Sequence, residues 1–307
     1  MINGALERKL RKDGFKGDIR QGVPMDEITS FKIGGPADLI IYPRGVEDLQ
    51  LVTTHCRNHG VQYLLLGNGT NLLVSEKGVR EPLINLSHGF GEIRKQGTKV
   101  MVGAGVRLPQ LLRFCAANNL SGLEPLAGIP GTVGGGIRMN AGSWGAEIGD
   151  LISSLMVMDS AGGIRRMKQG EVGFGYRGIN LPAEEIILQG EFSLHKGEGT
   201  EITKKMETSL RKRKETQPLS LPSAGSIFKN PQGIPAGKLI EEVGLKGMRR
   251  GDAMVSPLHA NFIVNVGAAR AKDVLGLIDR IRELVYQEKR TELELEVQIV
   301  GEPEAAE

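Results

Sequence analysis

Two cysteines in 307 residues, Cys56 and Cys115, are too few and too far apart for a disulfide framework, and no CxxC pair is present. That excludes small stapled scaffolds and fits a reducing compartment, so the cytoplasm is the expected location. Aromatic residues make up only 4% of the chain, and its basic run, RKRK at 211–214, contains none. A charged helix face accounts for that run, and no nucleic-acid partner is expected. Neither sign of charge is in excess: 39 Lys plus Arg face 36 Asp plus Glu, so nothing indicates a polyanionic partner. No apolar run approaches the ~18 residues of a membrane span. The start, MINGALERKLRKDGFKG, is charged where a signal peptide would be apolar. Neither a membrane partner nor secretion is expected.

What the chain has in quantity is glycine. Its 43 glycines are about twice the ~7% usage of an ordinary protein. They concentrate around 67–69, 103–105, 128–149 and 162–178. Loops of this kind either approach something closely or need positive φ.

The length exceeds one average domain, so more than one packed unit is expected. Hydrophobic spacing predicts helices at 3–12, 47–60, 108–119, 236–243 and 270–290. Strands are predicted at 29–43, 83–86, 91–95, 99–102, 151–158, 163–168, 186–194 and 261–266, with 62–75 as strand, turn, strand. The final segment, 293–300, alternates, sending Leu293, Leu295, Val297 and Ile299 one way and Glu294, Glu296 and Gln298 the other. Residues 198–218 are polar, charged and helical in propensity, which places a domain boundary there. The expected division is a first unit at 1–200, in two lobes of about 1–82 and 83–200, a second unit at 201–301, and a tail at 302–307. Strands outnumber helices in the first two-thirds, so the fold class is α+β rather than doubly wound.

Two nucleotide-binding motifs fail on the glycine loops. GNGTNL lacks the third glycine of a dinucleotide fingerprint and precedes a strand. GIPAGKL (233–239) is one residue short of a Walker loop and carries Leu239 where the metal-binding hydroxyl belongs. What survives is a pair of runs, GNGTN (67–71) and GIPGTVGGGIRMNAGSWG (128–145), whose N–H groups suit a pyrophosphate without a helix dipole. Thr70, Asn71, Thr132, Asn140 and Ser143 add neutral donors. Each run alone also reads as ordinary tight turns.

Several motifs occur in order: TSFKIGGPAD, GNGTN, GIPGTVGG with the MNAG after it, FGYR, AGSIFKNP and HANFIVN. Over residues 29–301 the chain closely resembles the UDP-N-acetylenolpyruvoylglucosamine reductases. The resemblance implies a noncovalent FAD on a two-lobed α+β unit of the vanillyl-alcohol-oxidase type, a following substrate domain, and NADPH as reductant. The flavin contacts it implies are Gly67, Asn68, Gly69, Thr70, Asn71, Gly128, Ile129, Pro130, Gly131, Thr132, Gly134, Gly135, Asn140, Ala141 and Gly142. The implied reaction is hydride transfer from NADPH to FAD, then from reduced FAD to the terminal carbon of an enolpyruvyl ether on a nucleotide sugar. A monomer is expected.

Hydride addition leaves negative charge over the adjacent carbon and its carboxylate, which calls for a cation and a proton source. By resemblance Arg177 holds the carboxylate, Ser226 donates the proton and Glu296 polarises the enolic intermediate. A guanidinium grips a carboxylate bidentately, which lysine does not. Taken without their motifs, the three read as a surface arginine, a turn serine and a solvated strand glutamate. Lys229, Asn230 and Asn261 are candidates for nucleotide-sugar contacts, with structural capping an equal alternative. The chain departs from the family pattern at Thr70, Ile179 and Gln298.

Other features are weighed and set aside. His55 and His59 stand i, i+4 around Cys56 but lack the acidic residue of a zincin motif, and no metal is expected. No GxSxG elbow occurs. Two rival functions stay open on sequence: a flavin oxidase of the same broad fold, against which AGSIFKNP and HANFIVN argue, and a non-catalytic nucleotide-sugar binder, against which intact Arg177, Ser226 and Glu296 argue.

Overall fold

The computed structural model describes residues 2–302; of the tail expected at 302–307, residues 303–307 lie outside the described residues. Helices and strands are mixed throughout, an α+β fold. The chain divides into two units. Among the described residues the first comprises 2–20, 39–68 and 81–212, the second 21–38, 69–80 and 213–302.

In the first unit one core lies under the helices Ile2–Lys12 and Val46–Asn58. Leu49, Val52 and Cys56, at i, i+3 and i+7, give the second helix its fully buried stripe. They cover a short parallel sheet in which Ile40 and Ile41 pair with Leu83 and Ile84, which also pair with Leu64 and Leu65. A second core is built on a five-stranded antiparallel sheet ordered Ile164–Lys168, Ile152–Met158, Ile186–Ser193, Lys99–Gly103, Ile93–Gln96. Met158, Ile186 and Leu188 pack into the first core, so the two lobes share strands rather than meeting at residue 82.

The glycine run at 128–145, expected as loop, contains the helix Val133–Arg138. Glycine ordinarily disfavours a helix by ~1 kcal/mol per residue. Tertiary packing overrides that here: a Cβ at Gly134 would stand 2.8 Å from the Cβ of Ala104. Only glycine lets the helix lie this close to its neighbour.

The second unit packs the helix Ala271–Lys289 on the antiparallel strands Arg249–Arg250, Ala253–Val255 and Ile263–Asn265. Val274, Leu277, Ile278, Ile281 and Val285 are its buried stripe. The boundary differs from the sequence expectation at 200/201. It falls inside the helix Gly199–Thr216, after Lys212, and segments 21–38 and 69–80 join the second unit. The reason is packing: Phe31, Ile33 and Leu73 fill the same core as Ile227, Phe228 and Val297. In addition, Leu72–Val74 pairs in parallel with Gln298–Val300. That change of partner also breaks the alternation read into 293–300, since Leu293 and Val297 are buried while Ile299 is 46% exposed. Among the described residues, no helix is long and apolar enough to cross a membrane.

Candidate active site

In the first unit the two glycine runs converge, because a Cβ on Gly67 would come within 3.1 Å of Thr132 Oγ1. The Asn85 side chain donates to the Gly67 carbonyl at 2.9 Å and pins that end. Thr132 is the N-cap of the helix Val133–Arg138, its hydroxyl accepting from Gly135 N–H at 3.2 Å. Several expected donors are consumed by the fold. The N–H groups of Ile129, Gly134, Asn140 and Ala141 go to the carbonyls of Leu126, Ala104, Ile137 and Gly136.

Arg177 sits on the two-residue turn between the strands Gly173–Gly175 and Gly178–Asn180, with φ of +54°. Its guanidinium lies 5.2 Å from the Tyr176 ring centroid, a cation–π contact. Ile179, one of the departures from the family pattern, packs its partly buried side chain on the second core.

The second unit brings Ser226 and Glu296 onto neighbouring extended segments. Glu296 N–H donates to Ile227 O at 2.8 Å, Lys229 N–H donates to Glu294 O at 2.8 Å, and Phe228 bridges Leu295 in antiparallel sense. Asn261 completes the arrangement from the other side. Its Oδ1 accepts from Phe228 N–H at 2.9 Å and its Nδ2 donates to Phe228 O at 2.8 Å, so the amide stands in for a strand partner. Lys229 Nζ is 3.3 Å from Glu294 Oε2. Asn230 Oδ1 accepts from Ala236 N–H at 2.9 Å, at the start of the helix Ala236–Glu242.

The end of the first glycine run, Gly69–Asn71, lies in this unit. Asn71 Nδ2 donates to the Glu296 carbonyl at 3.0 Å, and the Asn71 carbonyl accepts from Gln298 N–H at 3.0 Å. Asn71 therefore holds the backbone that presents Glu296.

One buried carboxylate was missed in the sequence. Glu124, 5% exposed, accepts from Ser121 Oγ and from Gly122 N–H immediately before the GIPG turn. Burial pushes its carboxyl up, but the bonds from Ser121, its own N–H and Gly122, with the charge of Lys205, outweigh that and hold it below the usual range. The signal was present as SGLE, a serine with a glutamate three residues on. The histidine pair does not form a metal site. Cys56 points into the core, His55 pairs with Asp13 at 2.8 Å, and His59 meets Lys9.

Comparison with known proteins adds the family. A model described as the UDP-N-acetylenolpyruvoylglucosamine reductase C-terminal domain matches residues 217–300, and an FAD binding domain model matches 37–168. A UDP-N-acetylenolpyruvoylglucosamine reductase from Carboxydothermus hydrogenoformans is 43% identical over 303 residues, 98% of this chain and 100% of the relative. One from Clostridium novyi is 40% identical, covering 98% and 97%. The crystal structure of UDP-N-acetylenolpyruvylglucosamine reductase from Thermus caldophilus superposes with a TM-score of 0.80 at 40% identity, over 93% of this chain and 99% of that one. With identity at this level along nearly its whole length, this chain belongs to the UDP-N-acetylenolpyruvoylglucosamine reductase family.

Proposed function

We propose that Arg177, Ser226 and Glu296 carry the chemistry of an FAD-dependent oxidoreductase that reduces UDP-N-acetylglucosamine enolpyruvate to UDP-N-acetylmuramate with NADPH, in peptidoglycan precursor synthesis. The observation that carries the site reading is the ladder of the second unit, which sets Ser226 and Glu296 on adjacent extended segments.

The residues present fit FAD. Gly67 and Thr132 approach too closely for any side chain at position 67 to fit without displacement, and, among the described residues, the N–H groups of Gly128, Gly131 and Thr132 are not used by the fold. Gly67, Asn68 and the turn Gly128–Thr132 would hold the pyrophosphate by backbone donors. Gly134 and Gly135 serve the adjoining helix. Noncovalent binding agrees with the state of the thiols: burial pushes Cys56 up to about 11 and Cys115 up to about 12, so neither is a nucleophile at neutral pH. When bound, FAD supplies hydride transfer from NADPH to the enolpyruvyl double bond.

The chain's own residues do the rest. Arg177 binds the substrate carboxylate and offsets the charge that develops beside it. Ser226 Oγ gives its proton to the carbon next to that carboxylate. Glu296 holds the enolic form. Lys229, whose partner Glu294 is well exposed, is available to a phosphate or to the serine alkoxide. Asn230 and Asn261 act through the backbone they hold, Asn261 by fixing the Ser226–Lys229 segment. The functional division follows the two units, with the flavin held by the unit that carries Gly67 and Gly128–Thr132 and the substrate by the unit that carries Ser226, Lys229 and Glu296. The protein acts as a monomer in the cytoplasm.

Incubation of the protein with NADPH and UDP-N-acetylglucosamine enolpyruvate tests this. The product is heavier by two hydrogens, formed with equimolar NADPH consumption. NADPH oxidation without that product would overturn the assignment.

A further inference from the structure

We infer that Asn140 is a positioning residue whose carboxamide, braced by Glu147, ties the glycine run to the hairpin that carries Arg177 and so sets where the guanidinium lies. The inference rests on the reading of Arg177 as the residue that binds the substrate carboxylate.

Asn140 follows the helix Val133–Arg138, is 1% exposed and takes a φ of +42°. Asparagine is among the few side-chain-bearing residues that tolerate this region. Its amide offers two N–H donors and a carbonyl acceptor, and all three functions are committed inside the fold. Nδ2 donates to Glu147 Oε2 at 2.6 Å and to the Gly175 carbonyl at 2.9 Å, while Oδ1 accepts from Gly149 N–H at 3.0 Å. A side chain kept for the flavin would hold its donors toward the ligand, and these point into the protein.

The three partners come from separate segments. Glu147 belongs to the small hairpin Gly142–Ser143 and Ala146–Glu147, Gly149 to the turn Ile148–Leu151, and Gly175 to the strand that leads into Arg177 two residues later. The contact at Gly149 leaves no slack. A Cβ there would stand 2.6 Å from the Phe174 ring and 2.8 Å from Asn140 Oδ1, so turn and hairpin touch directly. Phe174 and Ile179 pack on the second core, while Gly173, Gly175 and Gly178 carry no side chain to add to that. The Asn140 amide is therefore a hydrogen-bonded restraint on the strand that leads into Arg177, beside the packing of Phe174 and Ile179.

Asn140→Asp, studied in the holoenzyme, separates this role from a flavin contact. The aspartate keeps the shape and still accepts from Gly149 N–H, but its other oxygen faces the Glu147 carboxylate and the Gly175 carbonyl. Asp150 is engaged by Glu147 N–H and adds negative charge nearby. Two carboxylates at hydrogen-bonding distance share one proton at low pH and repel when both ionise. The expected result is a rate of flavin reoxidation by substrate that approaches wild type near pH ~5.5 and falls about tenfold or more below it by pH ~8.5. FAD affinity and the rate of flavin reduction by NADPH stay within about twofold. Hydrogen exchange at residues 173–180 rises over the same pH range, and adding Glu147→Gln, which returns a donor to the pair, flattens both dependences. Weakened FAD binding with normal reoxidation at saturating FAD would make Asn140 a flavin ligand and overturn the inference. A pH-independent difference, or unchanged exchange in the hairpin, would also overturn it. Arg177→Lys assayed alongside keeps the underlying reading separate: if that variant reoxidises normally, the carboxylate role of Arg177 fails, while hairpin exchange still decides the role of Asn140.

Discussion

Arg177 and the Ser226–Glu296 pair are held in place by opposite means. Arg177 stands on a glycine-rich two-residue turn whose strands are fastened to the rest of the unit by side chains, the packing of Phe174 and Ile179 and the amide of Asn140. Ser226 and Glu296 stand on extended segments tied by backbone bonds to each other, with Asn261 bonded twice to Phe228 and Asn71 bonded to the Glu296 carbonyl. A ladder tied through its backbone keeps its geometry when one side chain is removed, whereas a turn fastened through side chains shifts when one of them is lost. The first arrangement suits the proton transfer at a fixed atom proposed for Ser226. The second suits a cation whose reach is set by its loop.

The largest effect expected from this contrast is at Ser226. Ser226→Ala leaves the ladder intact and removes only the proposed proton donor, so reoxidation of reduced flavin by substrate is expected to slow by roughly 10²–10⁴-fold, with reduction by NADPH unchanged. Single-turnover kinetics of the two half-reactions check this, and equal loss in both would break the assignment. Arg177→Lys keeps the charge and loses the bidentate fork. It is expected to lower the reoxidation rate by about 10²-fold and to raise the substrate concentration needed, read from a titration of the same half-reaction.

Asn261→Ala sharpens the comparison from the other side. It strands the buried Phe228 N–H and carbonyl, each costing about 1–3 kcal/mol, so its signature in denaturant titration is lost stability, while the folded fraction keeps its half-reaction rates within a few-fold. The smallest effect is at Glu124. Its folded-state carboxyl is held low, so its stabilising contribution is present above the ordinary carboxylate range and lost as pH falls through the folded value. Glu124→Gln should be less stable than wild type by ~1 kcal/mol at neutral pH, and the two should converge below pH ~4. A gap that widens on acidification would contradict this.

The parts of the fold set by local spacing were legible. The helix Ala271–Lys289 follows from the stripe Val274, Leu277, Ile278, Ile281 and Val285, and the strands Ile152–Met158 and Ile186–Ser193 from their apolar runs. What escaped depends on partners far away in sequence. Nothing near Leu72 announces that it pairs with Gln298, and nothing near Phe31 announces its place beside Ile227. The helix Val133–Arg138 was hidden because three consecutive glycines argue against a helix until the closeness of Ala104 is known. At the site, the motif order is what singles out Arg177, Ser226 and Glu296 as the proposed catalytic groups. It did not reveal that the amides of Asn71, Asn140 and Asn261 bond to the protein's own backbone, since an asparagine that recognises a ligand and one that braces a loop look alike in sequence.

The most direct test of the central claim is an anaerobic absorbance titration of the protein's flavin with NADPH, followed by UDP-N-acetylglucosamine enolpyruvate. The account predicts that the oxidised flavin band bleaches with NADPH and returns on addition of the enolpyruvyl substrate. Bleaching without return would mean that the reduced flavin serves another acceptor, and the assignment of Arg177, Ser226 and Glu296 to this reduction would fall.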